Sequence, residues 1–420
     1  MTGSGTLADP YVIWDVNDLQ NINLNLTAYY ELGQDIDAAA TVGWNGGLGF
    51  DPVGNYSALN PDWAFRGNFD GKGCKITELF INRPLEEDVA LFGYTGLVGG
   101  YGGDARVIQN VGLEDCNITG GDYAVAGLIG FNDHARAITN CWVTGFITAT
   151  SDPTYISLCA GLVGYTDWDV TDCYFSGTIT LDDTANGSRA RQNGGLIGLL
   201  GGGTAGVTRC YSTGKLIFNG RPGFSSRCWE AGGFLGMNTG APISQCYSTM
   251  NITLNDCERA VEEFWAVGGF VGDSGLGAIT NCYARGSINA VGLFGSGDSI
   301  GGFAGWNNQT LTNCYSTGLV TTNAVAHIGG FCGWNDGGTI TDCFWDTETS
   351  GTLISDGGTG MTTAQMKDSA TFISAGWGFG TIWGMTDVCN NGYPCLLSVT
   401  PGCAWVVIPT VTTNPATRVI

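Results

Sequence analysis

One short phrase constrains this chain more than any other feature. Gly/Ala-Gly-(Leu/Phe)-x-Gly recurs seven times, at 126–130, 160–164, 194–198, 232–236, 268–272, 301–305 and 329–333. In each copy a second phrase follows, an aliphatic residue, two polar residues, cysteine, then an aromatic, with the cysteine 12 to 15 residues after the second glycine. It reads Ile138-Thr-Asn-Cys141-Trp in the first copy and Ile340-Thr-Asp-Cys343-Phe in the last, and Leu113-Glu-Asp-Cys116 resembles an earlier copy. A unit of this size that repeats in tandem cannot bury its apolar face alone and must stack on copies of itself.

Two repeat architectures compete, the bladed propeller and the solenoid. Cysteine-to-cysteine spacings of 25, 32, 37, 36, 36, 32 and 29 residues fall short of the roughly 40 to 45 that a four-stranded blade needs. A solenoid absorbs such variation as loops that bulge outward. Glycine makes up 69 of 420 residues while apolar residues reach 43% and charged ones only 13%, a composition for tight turns around a buried core with strands rather than helices. The apolar runs between glycines predict strands of three to five residues, with glycine supplying positive φ or close approach at the corners.

The expected fold is therefore all-β: a parallel β-solenoid, right-handed and β-helix-like, with short helical caps at its ends. Residues 1–95 would form an N-terminal capping segment and first coils, 96–350 the repeats, and 351–420 a C-terminal capping segment. Asp15 is placed to N-cap a short helix, and a second is expected to begin near Thr363. Stacking at about 4.8 Å would align like residues in ladders. One ladder holds the seven Leu/Phe residues, and one runs from Trp142 through the tyrosines to Phe344. A third holds Cys116, Cys141, Cys173, Cys210, Cys246, Cys282, Cys314 and Cys343 as buried free thiols acting as small apolar residues. The cysteines outside the repeat phase, Cys74, Cys159, Cys228, Cys257, Cys332, Cys389, Cys395 and Cys403, are the disulfide candidates.

A net charge of −22 repels phosphate backbones and excludes nucleic acid as a partner. No segment is long and apolar enough for a membrane span; the apolar tail at 403–408 is short and followed by Pro409. Sixteen cysteines fit an oxidising compartment better than the cytosol. Six Asn-x-Ser/Thr sequons, at Asn25, Asn55, Asn117, Asn186, Asn251 and Asn308, are candidate glycosylation sites and point the same way. The N-terminus lacks the features of a signal peptide, so an export signal is expected to have been removed from a secreted, cell-surface or extracellular protein.

Chemistry-bearing patterns are scarce. The two histidines, His134 and His327, have no second ligand at metal spacing, and neither a nucleophile elbow nor a phosphate-binding loop is present. Carboxylates cluster at Asp35, Asp37 and Asp70, and at Asp167, Asp169 and Asp172, where turn formation accounts for them. No cofactor, metal or catalytic residue is expected, and the chain is read as not an enzyme.

The repeats resemble the GLUG motif of bacterial and archaeal extracellular repeat proteins, directly over residues 120–345. The flanks resemble what accompanies such repeats, through Phe65-Arg-Gly-Asn-Phe-Asp-Gly-Lys-Gly73 before the array and Met361-Thr-Thr-Ala-Gln-Met-Lys367 after it. That resemblance implies architecture and location but no chemistry. The unphased cysteines depart from the family pattern and suggest covalent reinforcement. The functional expectation is a self-associating structural subunit of an envelope, sheath or surface layer, with itself as partner. The alternatives are an adhesin or carbohydrate-binding module that takes cell-surface glycans, and a polysaccharide-degrading β-helix enzyme.

Overall fold

A computed structural model describes residues 1–55, 63–96, 106–121, 123–133, 136–150, 156–186, 189–202, 206–222, 227–257, 265–290, 297–323 and 327–400. Among them the chain winds into a β-solenoid whose strands pair in parallel from coil to coil. An eleven-stranded sheet runs from Tyr11–Ile13 to Thr339–Thr341, an eight-stranded sheet from Phe92–Gly96 to Cys332–Asn335, and a fourteen-stranded sheet from Ile36–Asp37 to Thr359–Met361. A five-stranded sheet from Asn193–Gly194 to His327–Gly329 lines a further edge of the later coils. The only antiparallel pair of strands among the described residues joins Trp383–Gly384 to Cys395–Leu396.

Register follows the repeat phase. Ile138, Val170, Val207, Ile243, Ile279, Leu311 and Ile340 stand opposite one another in successive coils. The Leu/Phe ladder lies wholly in the core, and its aromatic part stacks face to face: Phe234 on Phe270 at 4.6 Å, Phe270 on Phe303 at 4.9 Å, Phe303 on Phe331 at 4.9 Å. Beside it runs a buried polar file. Thr95 donates to Asn132 at 2.7 Å and Asn132 to Thr166 at 2.9 Å; further along, Ser274 donates to Asn307 and Asn307 to Asn335, each at 2.7 Å. Each buried amide in that file finds its partner in the next coil, which removes the penalty of leaving it dry and unpaired.

Corners are turned differently from the expectation that glycine would do so. The residue before each phased cysteine adopts left-handed φ, between 50° and 55°, at Asn140, Asp172, Arg209, Gln245, Asn281, Asn313 and Asp342. Asn and Asp tolerate this region better than other non-glycine residues, and here they also link coils. Asn140 donates to Asn110 at 2.9 Å, and Arg209 grips Asp172 through two contacts of 2.7 Å.

The paired glycines act through close approach. A Cβ on Gly269 would lie 2.2 Å from the Gly302 carbonyl oxygen, and one on Gly268 would lie 1.9 Å from that of Val271. Gly269→Ala is expected to cost roughly 2 kcal/mol of stability by forcing two coils apart. An unchanged urea midpoint would show that the coils are not in this contact.

Strands also run longer than three to five residues. Trp142–Thr150, Tyr174–Asp182, Tyr211–Asn219 and Tyr247–Asn255 each span nine. In the first three a glycine sits inside the strand, and the inward-outward alternation shifts there: Val143 and Ile147 are buried with Thr144, Gly145 and Phe146 between them outward.

At the N-terminus a short helix, α1 (Val16–Gln20), is capped by Asp15, whose carboxylate accepts the Asp18 N–H at 2.9 Å. Near the C-terminus, α2 (Thr363–Met366) begins with a capping box at Thr362 and is followed by α3 (Ser369–Ser374). This closing segment lies along the side of the solenoid instead of across its end. Phe372, Trp377, Trp383, Tyr393 and Leu396 pack on Tyr247, Tyr283, Tyr315 and Phe344 as a second apolar cluster. Hydrogen bonds tie it to successive coils: Ser398 to Gln245 at 3.0 Å, Trp383 to Asn281 at 3.2 Å, Tyr315 to the Pro394 carbonyl at 2.6 Å, and Trp377 to the Asp342 carbonyl at 3.0 Å.

Candidate functional site

The cysteine file is continuous from Cys141 to Cys343, and Cys116 is not part of it. Register places Cys116 opposite Gly145, while the position before Trp142 is matched in the preceding coil by Val111. Each thiol in the file donates to the carbonyl two residues earlier, from Thr139 at 3.3 Å for Cys141 to Thr341 at 3.3 Å for Cys343. Backbone N–H groups of Cys141, Cys173 and Cys210 point at the next sulfur at 3.4 Å. Burial pushes the thiols of Cys141, Cys173, Cys210, Cys282 and Cys343 well above the ordinary value, so these are protonated and unreactive.

The disulfide expectation is corrected at six positions. Cys74, Cys159, Cys228, Cys257, Cys332 and Cys395 are free thiols, all buried except the half-buried Cys74. The register explains two of these: Cys228 faces Ala190 and Cys332 faces Ala304 in the adjoining coil, so no second sulfur is opposite. Cys389 is disulfide-bonded, and Cys403 lies outside the described residues.

The outer aromatic file stacks Tyr174, Tyr211, Tyr247 and Tyr283 with ring centroids 4.7–4.8 Å apart and planes within 4° of parallel. Ring faces engaged with one another cannot also receive a sugar, and the closing segment covers the file beyond Tyr247. The sequons fall on the surface at Asn25, Asn55, Asn117, Asn251 and Asn308, while Asn186 is half-buried. His134 lies outside the described residues, and His327 stacks on Trp334 at 4.5 Å.

The two carboxylate clusters are engaged in turns and coil-to-coil bonds. Asp35 accepts the Lys75 N–H at 3.0 Å, Asp37 the Ala39 N–H at 2.9 Å, and Asp169 the Gly206 N–H at 2.7 Å. Burial would raise the Asp70 carboxyl, but bonds from Asn110, the Lys72 N–H and Gln109 outweigh it and hold the group below its ordinary value. Among the described residues no three His, Cys, Asp or Glu side chains come together as a metal site, and no helix is long and apolar enough to cross a membrane.

A carboxyl outside every motif stands out instead. Glu230, in the strand Glu230–Gly232, is pushed up to about 7 by burial, opposed by the Arg191 guanidinium and reinforced by Asp273, itself raised by burial. Its Oε2 is buried and takes no hydrogen bond. Arg191 lies 4.0 Å over the Trp229 ring, and Asp273 accepts the Gly275 N–H at 2.8 Å. The arrangement holds a proton that it exchanges near neutrality. Nothing periodic marks Glu230, which is why the repeat did not reveal it.

The free strand edges form the other candidate surface. At the N-terminal end Thr2 bridges Val12 and covers the first strand of the eleven-stranded sheet. At the C-terminal end residues 354–356 cover Cys332–Asn335, with Asp356 donating to the Cys332 carbonyl at 3.0 Å. Thr359–Met361 covers Phe344–Asp346. Among the described residues no strand pairs with the outer edge of His327–Gly329 or Thr339–Thr341.

Comparison with known proteins agrees with the repeat. Residues 265–289 match the model of the GLUG motif, which the chain therefore carries. Halomucin of Haloquadratum walsbyi is 36% identical over 171 residues, covering 40% of this chain and 2% of that protein. A protein of Evansella cellulosilytica, provisionally named a Gly-rich membrane protein, is 33% identical over 113 residues, covering 26% of this chain and 13% of the relative. The chain thus spans only a small part of the length of these relatives. Two solved structures resemble the fold. One, from Bacteroides ovatus and provisionally described as an immunoglobulin A1 protease, gives a TM-score of 0.48 at 18% identity over 94% of this chain and 95% of that one. Another, an IgA1 protease, gives 0.44 at 16% identity over 88% of this chain and 24% of that one. Because both neighbours bear protease names, the expectation that the chain is not an enzyme is withdrawn. Identities and scores this low assign no activity to the present chain.

Proposed function

We propose that this chain, which carries the GLUG motif, is a structural segment of an extracellular cell-surface protein that associates with copies of itself through its C-terminal end. The observation that carries the reading is the C-terminal end of the solenoid, where two of four sheet edges have no pairing strand among the described residues. Unpaired strand edges template pairing with another chain. The division into a first block at 1–95, repeats at 96–350 and a closing segment at 351–420 belongs to the same reading, as do the secreted location and glycans on the exposed sequons. Relatives named for a mucin and a membrane protein support a place at the cell surface.

Thr339 and Thr341 are exposed on the open edge, so replacing both with lysine adds charge where pairing would occur while leaving the core untouched. Sedimentation velocity from micromolar to high concentration is expected to show growing assemblies for the parent and a monomer for the doubly substituted chain. A parent that stays monomeric throughout, with no assemblies in electron micrographs, would remove the proposal.

A further inference from the structure

Near the N-terminal end, a cavity of about 220 Å³ is lined by Leu26, Pro52, Trp63, Glu87 and Asp88, among others. Its walls are uneven in chemistry. Leu26 and Pro52 supply apolar surface, and Trp63 stands 53% exposed. The polar groups behind the wall are already engaged. The Asn23 amide donates to the Asp51 and Pro52 carbonyls at 3.4 and 3.2 Å and accepts the Gly54 N–H at 3.1 Å. Arg83 donates to the Phe50 carbonyl at 3.1 Å, grips Glu86 at 2.9 Å and pairs with Asp51 at 3.1 Å.

Asp88 is the exception. The residue is only 5% exposed, its backbone is held at a left-handed φ of 54°, and its Oδ1 is buried and takes no hydrogen bond. Neither Asp88 nor its exposed neighbour Glu87 makes an ion pair among the described residues. A buried carboxyl oxygen without a donor is costly. The missing partner is a donor that brings positive charge, since Arg83 is engaged by Asp51 and Glu86 and no cation pairs with Glu87 or Asp88 among the described residues.

We propose that this cavity binds a primary ammonium group on an apolar stem, as in a lysine side chain or a free alkyl diamine. The ammonium, with three donors and no acceptor, lies against Asp88 and Glu87, while its methylene stem packs on Leu26, Pro52 and the Trp63 ring. The ring face adds cation–π attraction. A divalent cation fits less well, because no three carboxylates converge among the described residues and the cavity has an apolar wall. The inference stands independently of self-association at the opposite end.

The test is calorimetric titration of the full chain with cadaverine, N-acetyl-lysine methylamide, N-acetyl-norleucine methylamide and calcium chloride. Saturable one-to-one binding of at least one of the two amines is expected, with no binding of the norleucine compound. Cadaverine alone identifies a free amine as the source, and the lysine compound alone a protein side chain. Asp88→Asn, which suits left-handed φ and keeps the shape, is expected to weaken the amine at least tenfold with an unchanged circular dichroism spectrum. Trp63→Ala, at an exposed position, is expected to weaken it severalfold. Equal binding of norleucine and lysine compounds, calcium binding that displaces the amine, or undiminished affinity in a folded Asp88→Asn chain would each overturn the proposal.

Discussion

Phe270→Ala is expected to lower the stability of the solenoid by about 4 kcal/mol, within the range for deleting a fully buried aromatic ring. Phe270 has no exposed surface and stacks on Phe234 at 4.6 Å and Phe303 at 4.9 Å. Removing it leaves a void in the middle of the file, and its neighbours cannot close that void because their own backbones are locked at coil spacing by the paired glycines. Phe270→Leu keeps most of the volume and is expected to cost about 1.5 kcal/mol or less. Urea unfolding followed by circular dichroism measures both. Stability in stacked repeats sums local and nearest-neighbour terms, so the alanine variant is also expected to broaden the transition by uncoupling the coils on either side. A loss under about 1 kcal/mol would mean that the ring is not in this stacked core.

The second large effect concerns Glu230. Its carboxyl is raised in the folded chain to about 7, so between the unfolded value and 7 the folded state binds the extra proton. The stability this provides is complete in acid and is lost as pH rises through 7. A shift of this size corresponds to a loss on the order of 3 kcal/mol by pH 8. Glu230→Gln stays neutral at every pH and is expected to flatten that part of the curve, so that the variant is more stable than the parent at pH 8 and nearly equal to it at pH 5. Thermal unfolding of both chains across that interval gives the comparison. Parallel stability curves would show that Glu230 is ionised in the folded protein.

Much of this architecture was legible because a solenoid writes its register into the sequence: residues at one phase face the same neighbours in every coil. The Phe, Tyr and isoleucine files follow directly from that. Cys116 was misplaced because Leu113-Glu-Asp-Cys116 resembles the repeat locally, and only the strand pairing shows that it stands opposite Gly145, four residues past Cys141. The corner residues Asn140, Asp172 and Asn281 were visible as polar positions before each cysteine. Their left-handed backbone was hidden by the abundance of glycine, which drew the turn assignment to itself. Glu230 and Asp88 could not be read at all, since each occurs once and its burial depends on which loop lies over it. The lateral course of the closing segment was equally hidden, because Trp377 and Trp383 would cover an apolar surface on a side as readily as at an end.

That lateral course has a mechanical meaning. Bonds between coils run along the solenoid axis, so tension applied end to end opens one rung at a time, much as a zip parts. The closing segment crosses the rungs from Gln245 to Asp342 and is anchored on several of them. Under load those coils must yield together, while the coils before Gln245 remain free to peel singly. A shaft built this way has a compliant N-terminal stretch and a stiff C-terminal block, and it dissipates a pull in small steps before the block is strained.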